Sequence, residues 1–447
     1  MKVALFVHCF FPDHFYGTET YTLQLAKNLQ RLGHEVTVVT AVFQGEPARE
    51  SLISRYTHDG VPVIVIDKNK APHRNIAETY WQEEMRAPLR QILRELACDV
   101  VHVTHLINHT AVLLEEAKAL RIPVVATLTD FFGFCYNNKL EAADGALCAG
   151  PSPSRSNCIA CHLKAAAAPG TFAHRIAAHP ALLNMTAVGI RAGYTTGLAP
   201  EATRLMAADI VNRPDVLFRA YQHYDAMIAP TAFLRDAYVR NGFDPTRLHL
   251  SHFGVDIDRA PKQPRSDGPL VIGFIGQLAA HKGVDLLLKA AAALPPETLR
   301  IKIHGPENQD PPYMAQLRAL AGANTAFLGT FPSERIAAVL ATFDVLAIPS
   351  TWYENSPLVL LNALATHTPV LVSDVQGLTE FLGDGKNGWS FRRGDLADLT
   401  AKLRQLAADA AATRATASHT SYDRDIAAMT HDVAAVYARV TSSRFAG

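Results

Sequence analysis

The feature that most constrains the fold is a regular alternation of short apolar runs and amphipathic helical segments. Val3–Val7 is predicted to be a strand, and Glu19–Arg31 a helix that ends at Gly33. Glu35–Thr40 is the next strand, and the second half of the chain restarts the pattern at Leu270–Ile275. Strands that alternate with helices are typical of parallel sheets covered on both faces. The sequence therefore predicts an α/β chain built from doubly wound, Rossmann-like domains.

The length of 447 residues implies more than one domain, because a single core stops growing well before that size. We predict a first domain over residues 1–257 and a second over 258–420, joined by the polar, proline-containing linker Asp258–Pro269. Residues 421–447 are predicted to form a C-terminal helix, and we consider that this helix packs on the first domain. Two such domains that face a central cleft place a ligand between the carboxyl ends of both sheets.

The charge balance argues against nucleic acid as a partner. Lys and Arg together number 42 and Asp and Glu together also number 42, so no basic excess exists to neutralise phosphates. No apolar run reaches the length of about 18 residues that a membrane-spanning helix needs. The first residues lack a small-residue cleavage site and favour a strand over a signal peptide. We therefore expect a cytoplasmic protein, with the inner face of the membrane as the alternative location.

One strand-to-helix junction in the second half predicts an anion site. The buried strand Asp344–Ile348 is followed by a loop with a single carboxylate, Glu354. Ser356 is predicted at the N-cap and Pro357 at the first position of a helix that continues over Leu358–Ala365. Free N–H groups and the helix dipole at such an N-terminus favour a negatively charged ligand. The junction predicts a phosphate-bearing ligand beside a carboxylate; the alternative is an ordinary strand–loop–helix unit.

Several short motifs occur in a characteristic order along the chain. They are Gly17-Thr18-Glu19, Gly33-His34-Glu35-Val36, His252-Phe253-Gly254-Val255-Asp256, Gly276-Gln277-Leu278 with Lys282-Gly283, Glu354-Asn355-Ser356-Pro357, and Thr368-Pro369-Val370 with Gly377-Leu378-Thr379-Glu380. Each is weak alone, but their order and spacing are specific. Together they resemble the retaining family-4 glycosyltransferases (glycosyl transferases group 1), which have the two-domain GT-B fold. The resemblance covers nearly everything except Gln44–Thr79 and a segment over about 130–223.

The resemblance implies an enzyme that moves a sugar from a nucleotide diphosphate-sugar to a glycan or lipid-linked acceptor, as in cell-surface polysaccharide synthesis. The resemblance implies no cofactor for catalysis. It also implies a front-face displacement, in which the departing phosphate oxygen takes the acceptor proton. The implied catalytic residues are Glu354, Lys282 and Asp130. The implied donor-binding residues are Gly17, Gln277, Lys282, Glu354, Asn355, Ser356, Pro357, Leu358 and Asn362. His8, His105 and Asp130 are expected on the acceptor side.

Three positions depart from the family pattern. Asn362 stands where the family has a second glutamate that binds the ribose, and Gln277 replaces an arginine of the phosphate loop. Thr129 precedes Asp130 where many relatives have histidine. These departures motivate a second hypothesis, a catalytically silent relative that binds nucleotide sugar or a partner transferase. A third, an epimerase or phosphorylase of the same fold, has less support because no lysine motif for a pyridoxal cofactor is found.

Four of the six cysteines crowd into a segment of about 130–223, which we predict to be an insert in the first domain. Cys135, Cys148, Cys158 and Cys161 are separated by 12, 9 and 2 residues. The closely spaced pair can chelate a tetrahedral ion, and the other two thiolates can complete a structural zinc site. The alternative is four reduced thiols in a loop.

The alanine-rich stretch Leu163–Ala208 carries scattered basic residues, namely Lys164, Arg175, Arg191 and Arg204. We expect such a stretch to form ordinary packed helices. The alternative is peripheral contact with a membrane that carries a lipid-linked acceptor.

Overall fold

The computed structural model of the protein describes residues 1–260 and 268–442, and it divides the chain into two compact units. The first unit comprises Met1–His252 together with the C-terminal helix from Ala427 onward. The second unit comprises Phe253–Ile426. Of the predicted linker Asp258–Pro269, residues 261–267 lie outside the described residues.

The first unit is built on an eight-stranded sheet with the strand order β3-β4-β2-β1-β5-β6-β7-β8. Its strands are β1 (Lys2–Phe6), β2 (Glu35–Val42), β3 (Ile53–His58), β4 (Val61–Asp67), β5 (Val100–Val103), β6 (Val124–Thr127), β7 (Ala226–Ala229) and β8 (Leu248–Leu250). All pairs are parallel except β3 with β4. The short central strands β5, β6 and β7 are buried along their whole length, as expected of strands covered on both faces.

Eight helices accompany this sheet before β8 is reached. They are α1 (Gly17–Arg31), α2 (Arg86–Leu96), α3 (Val112–Ala119), α4 (Ser156–Ala166), α5 (Phe172–Ala177), α6 (Pro180–Thr196), α7 (Glu201–Tyr221) and α8 (Ala232–Arg240). Gly33 has a φ of +83°, so it ends α1 in the left-handed conformation that glycine favours. The helices α4–α7 fill the segment between β6 and β7.

The segment that leads into α2 is not a continuous helix. Two 3-10 turns, Ala77–Thr79 and Glu83–Met85, precede α2, which begins only at Arg86. Pro88 lies in the first turn of α2, where its missing N–H leaves no hydrogen bond unmade.

The second unit contains a six-stranded, entirely parallel sheet with the order β11-β10-β9-β12-β13-β14. Its strands are β9 (Leu270–Ile275), β10 (Leu299–His304), β11 (Thr325–Phe327), β12 (Val345–Ile348), β13 (Val370–Ser373) and β14 (Gly388–Phe391). Its helices are α9 (Val284–Ala292), α10 (Pro311–Leu320), α11 (Ile336–Leu340), α12 (Leu358–Ala365), α13 (Leu396–Ala408) and α14 (Ala410–Ala415), before α15 (Ile426–Ser442). The predicted class of two doubly wound α/β domains is confirmed.

The last helix, α15, packs on the sheet of the first unit. Tyr437 is buried, and its hydroxyl lies 2.5 Å from Nδ1 of His102 on β5. Ser251, directly after β8, donates its hydroxyl to Asp432 at 2.8 Å. These two polar contacts hold the helix against β5 and against the residue that follows β8. Within the described part of the chain, no helix combines the length and the apolar character needed to cross a membrane.

Candidate functional site

The strand β12 leads through a short loop into α12. Pro357 directly precedes the helix with ψ of 127°, so the helix begins at Leu358. The N-cap predicted at Ser356 is therefore wrong. Ser356 adopts a left-handed φ of +52°, an uncommon conformation for a residue other than glycine. Its buried hydroxyl has no hydrogen-bond partner among the described residues.

Glu354 is the centre of a buried polar cluster in this loop. Its Oε1 atom accepts hydrogen bonds from Nζ of Lys282 at 2.7 Å, from Oγ of Ser350 at 2.5 Å and from Nε1 of Trp352 at 3.1 Å. Burial alone would raise the pKa of this carboxyl. The positive charge of Lys282 and the three hydrogen bonds outweigh burial, so the pKa lies below its ordinary value. Glu354 is therefore ionised at neutral pH.

Lys282 reaches this cluster from the loop that follows β9. It ends a 3-10 turn, Ala280–Lys282, and Gly283 follows with a φ of +70°. A Cβ atom at Gly283 would lie 2.0 Å from the carbonyl oxygen of Pro349, so the two loops touch through their backbones. Thr351 also donates its N–H to the carbonyl of His281 at 2.9 Å. Two separate strand ends are thus held together around one ion pair.

Aromatic rings cover one side of the lysine. The ammonium of Lys282 lies 5.2 Å from the ring centroid of Trp352, within the range of a cation–π contact. The ring of His281 lies 4.2 Å from that of Trp352. Trp352 and Ser350 were not predicted as site residues, although they precede Glu354 by only two and four positions.

The other predicted donor residues lie in four places. Gln277 is half-buried in the loop after β9, and Asn355 is half-buried in the loop before α12. Leu358 begins α12, and half-buried Asn362 follows one turn later. Gly17 belongs to the first unit, where it is the exposed first residue of α1 and has no atoms near the place of a Cβ.

The residues predicted for the acceptor side gather at the carboxyl ends of β1, β5 and β6 in the first unit. The rings of His8 and His105 lie 4.2 Å apart, and Nε2 of His105 lies 3.0 Å from Oδ2 of Asp130. The N–H of Ile107 donates to Nδ1 of His105, so the ring proton is on Nε2 and is donated to Asp130. Thr129 donates its hydroxyl to the carbonyl of Thr104 at 2.9 Å.

The side chains of Glu19 and Cys9 also belong to this cluster, and of the two only Glu19 is part of a predicted motif. Glu19, of the Gly17-Thr18-Glu19 motif, accepts a hydrogen bond from the Cys9 thiol at 3.2 Å and lies 3.4 Å from Nε2 of His8. Burial lowers the pKa of His8 well below its ordinary value, and the charges of His105 and two other histidines add to this effect. His8 is therefore neutral, and its Nδ1 and the Oε2 of Glu19 have no partner in the part of the chain that is described.

The four clustered cysteines lie in the segment between β6 and β7. Cys135 and Cys148 are in the loop that precedes α4, and Cys158 and Cys161 are on α4 itself. All four are free thiols.

Comparison with known families matches both halves of the chain. The model of the glycosyl transferases group 1 matches residues 256–423, which include the Lys282–Glu354 pair. The model described as Glycosyltransferase Family 4 matches residues 15–141, which include Glu19, His105 and Asp130.

Curated relatives match a smaller part of the chain. The D-inositol 3-phosphate glycosyltransferase of Nocardia farcinica is 32% identical over 205 residues, which is 41% of this chain and 45% of that protein. The alpha-maltose-1-phosphate synthase of Mycolicibacterium smegmatis is 29% identical over 191 residues, which is 38% of this chain and 49% of that protein. The matches thus span about half the length of these relatives.

Solved structures share the fold over nearly the whole chain. Sucrose-phosphate synthase from Thermosynechococcus elongatus has a TM-score of 0.62 at 16% identity, with 99% of both chains covered. HepE of Anabaena, solved in complex with UDP and glucose, has a TM-score of 0.65 at 16% identity, with 98% of this chain and 99% of that chain covered. These likenesses confirm the predicted GT-B fold class. The fold, the two matched family models and their order along the sequence show that the chain belongs to glycosyltransferase family 4.

Proposed function

We propose that the protein is a retaining glycosyltransferase that moves a sugar from a nucleotide diphosphate-sugar to a glycan or lipid-linked acceptor, as in cell-surface polysaccharide synthesis. The observation that carries the proposal is the Lys282–Glu354 pair beside the N-terminus of α12. The names of the matched relatives, a glycosyltransferase and a sugar-phosphate synthase, support it. HepE of Anabaena has also been solved in complex with UDP-glucose, which makes UDP-glucose the first donor to test.

The donor diphosphate is held in this proposal by Lys282 and by backbone amides. An ammonium group has three N–H donors, and Glu354 accepts only one of them at 2.7 Å. The remaining donors serve phosphate oxygens. The first amides of α12 and the buried hydroxyl of Ser356 offer further hydrogen bonds to the same anion. Fixed charges and dipoles that stabilise the departing diphosphate lower the barrier to transfer, and the phosphate oxygen takes the acceptor proton.

Glu354 and the loop that contains it have separate roles in this proposal. Its carboxylate positions Lys282, because the two groups share a buried hydrogen bond. The same loop contributes the backbone that follows Glu354 and faces the donor sugar. The required geometry is maintained by Gly377, since a Cβ atom there would lie 1.7 Å from the carbonyl oxygen of Glu354.

The acceptor is proposed to bind at the strand ends of the first unit. His105 donates to Oδ2 of Asp130, and among the described residues the other carboxylate oxygen accepts only the N–H of Phe132. Nδ1 of His8 and Oε2 of Glu19, which have no partner among the described residues, provide further acceptor atoms for sugar hydroxyls. Hydroxyl-rich ligands suit such a set, because each hydroxyl can donate and accept at once.

A catalytically silent relative is the second candidate. Asn362 and Gln277 remove charges that the family places near the nucleotide, which favours weaker donor binding. Retention of Lys282, Glu354 and the α12 junction favours an active enzyme.

Transfer and donor hydrolysis measured with a panel of nucleotide sugars separate these two candidates. Active protein releases nucleoside diphosphate from one donor of the panel. The variant Glu354→Ala is expected to lower that rate at least tenfold, whereas the exposed Glu334→Ala, in the same unit, should leave it unchanged. Unchanged transfer by Glu354→Ala would refute the site assignment, and release from no donor would favour the silent relative.

A membrane that carries the lipid-linked acceptor is proposed to touch the helices α5–α7. Large apolar side chains are exposed there: Phe172 by 77%, Met185 by 71%, Val188 by 57%, Leu198 by 85% and Leu205 by 60%. The stretch Leu163–Ala208 also contains four Lys or Arg residues against a single carboxylate, Glu201. Exposed apolar groups among cations suit an anionic lipid surface. The cytoplasmic location predicted from the sequence, at the inner face of the membrane, is part of this proposal.

A further inference from the structure

Four cysteines that are distant in sequence converge on one place in the first unit. Cys158 and Cys161 are three positions apart on α4, so they project from the same face of the helix. The loop before α4 brings Cys135 and Cys148 to that face. An antiparallel bridge between Glu141 and Leu147 closes the loop between them. The other two cysteines, Cys9 and Cys98, lie before α1 and after α2.

Hydrogen bonds join the four thiols through three shared residues. Sγ of Cys135 donates to Oδ1 of Asn137 at 2.9 Å, while Nδ2 of Asn137 and Sγ of Cys161 both donate to the carbonyl of Glu141, at 2.7 and 3.6 Å. Nδ2 of Asn157 donates to Sγ of Cys148 at 3.7 Å, and Sγ of Cys158 donates to Oδ1 of Asn157 at 3.6 Å. The four thiols therefore belong to one polar cluster, and a divalent cation that binds there would replace their protons.

Backbone amides point at the sulfur atoms of both loop cysteines. The N–H groups of Asn137 and Leu140 bond the sulfur of Cys135. Gly150 donates its N–H to Sγ of Cys148 at 3.4 Å. Such N–H groups stabilise thiolates and orient them, as supporting hydrogen bonds do around metal ligands.

A buried arginine supplies charge compensation beside the cluster. Arg213 on α7 is 3% exposed, and its Nη1 donates to the carbonyl of Cys135 at 2.5 Å while Nη2 donates to Asn138 at 3.1 Å. No ion pair of the described residues includes it. A buried cation normally needs a counter-ion. Four thiolates around one divalent ion carry a net negative charge, which would be that counter-ion.

We propose that Cys135, Cys148, Cys158 and Cys161 bind one structural zinc ion. Among the described residues, no three of these sulfur atoms lie within 4.8 Å of one another. Binding would draw them to about 2.3 Å from the ion in a tetrahedron. Each thiol now donates to a nearby oxygen, as Cys135 does to Asn137 at 2.9 Å, and would release that proton.

The proposed ion would fix the loop that follows Asp130. The N–H of Cys135 donates to the carbonyl of Phe131 at 2.9 Å, one residue after Asp130. A zinc ion that joins this loop to α4 would therefore hold the acceptor-side carboxylate in place. All four ligands are cysteines, so no coordination position is open and the ion has no catalytic role.

The direct test is metal binding by the full chain, which does not depend on activity. Chelator-stripped protein is titrated with Co²⁺, and the visible spectrum is recorded. One equivalent of Co²⁺ should give the thiolate-to-metal charge-transfer bands and the d–d bands of a tetrahedral all-sulfur site. Added Zn²⁺ should displace the Co²⁺ and abolish these bands. A spectrum of an octahedral oxygen–nitrogen site, or no bands, would overturn the proposal.

Variants identify which thiols bind. Cys161→Ser, at a half-buried position, should lose at least 90% of the bound Zn²⁺ measured by elemental analysis. Cys98→Ser is the matched control at a buried cysteine outside the cluster, and it should retain one equivalent. Arg213→Met should release zinc to a competing chelator about tenfold more readily. Retention of zinc by Cys161→Ser together with its loss from Glu19→Gln would place the metal at His8, Cys9 and Glu19 instead, and would contradict the proposal.

Discussion

At the residue scale, the pair of Glu354 and Lys282 joins the stability of the second unit to its proposed chemistry. The carboxylate is buried and the ammonium is largely covered, so each group depends on the other for charge compensation. Removing one partner of such a pair leaves an uncompensated charge, which costs about 3 kcal/mol or more. A phosphate next to Lys282 would take over part of that compensation.

The pKa of Glu354 predicts how stability depends on pH. A carboxyl whose pKa is lower in the folded than in the unfolded chain stabilises the fold above its unfolded pKa, near 4.5, and loses that contribution as pH falls through the folded pKa. Glu354→Gln should therefore lower the melting temperature at pH 7 and narrow its difference from wild type below pH 4.5. Thermal unfolding monitored by circular dichroism measures this. A difference in melting temperature that stays constant down to pH 3 would contradict a stabilising ion pair between Glu354 and Lys282.

Asn362 predicts a gain of function by a single substitution. Asn362→Glu restores the carboxylate that the family has eight residues after Glu354, and a charged hydrogen bond to a ribose hydroxyl contributes about 1–2 kcal/mol. We expect roughly tenfold tighter donor binding, measured by calorimetry. Asn362→Gln, which matches the length without the charge, is the control and should change the affinity little. Equal effects of both substitutions would show that charge at this position does not act on the donor.

At the scale of elements, two loops from different strand ends build the candidate donor site. The backbone contact at Gly283 determines how closely they approach, because the glycine has a left-handed φ and the carbonyl of Pro349 occupies the space of a Cβ. The junction of β12 and α12 adds amides at a helix N-terminus. The helices α5–α7 of the first unit present a different surface, rich in exposed apolar side chains.

Gly283→Ala should separate the two loops. The added methyl group cannot fit 2.0 Å from the Pro349 oxygen, so we expect a lower melting temperature and at least tenfold weaker donor binding. Gly329→Ala is the matched control in the same unit, since Gly329 has a φ of +65° but no atom within 4 Å of its Cβ position. Both variants introduce a similar backbone strain, because both glycines have a positive φ. An equal loss of donor affinity in the two variants would therefore contradict a specific role for the contact between the loops.

The surface of α6 predicts membrane binding that can be measured by sedimentation with vesicles. The double variant Met185→Ser and Val188→Ser should lower the fraction bound to phosphatidylglycerol-containing vesicles several-fold, because it removes two exposed apolar groups. Leu396→Ser, at a 41% exposed leucine of the second unit, serves as the control. Wild-type protein that binds equally little to phosphatidylglycerol and to phosphatidylcholine vesicles would contradict the proposed contact.

At the scale of the whole molecule, the sequence predicted the two parallel sheets because apolar strands buried on both faces have a clear periodicity. It missed β3, an edge strand in which no side chain is fully buried. The Lys282–Glu354 pairing was not predicted, because the two residues are 72 positions apart and only the folded loops bring them together. Ser356 was misplaced as an N-cap, because Pro357 has an extended conformation and the helix begins only at Leu358.

The central claim is that Lys282 binds the diphosphate of a nucleotide sugar, and calorimetric titration of the full chain tests it most directly. UDP-glucose is titrated first, followed by other nucleotide sugars, into wild type, Lys282→Gln and Lys289→Gln. Lys289 is a surface lysine paired with Asp285 in the same unit, so it controls for loss of a positive charge. We predict millimolar or tighter binding of one donor by wild type and Lys289→Gln, and at least tenfold weaker binding by Lys282→Gln. Binding of no nucleotide sugar at millimolar concentration by the wild-type chain, or equal affinities of all three proteins, would contradict the account.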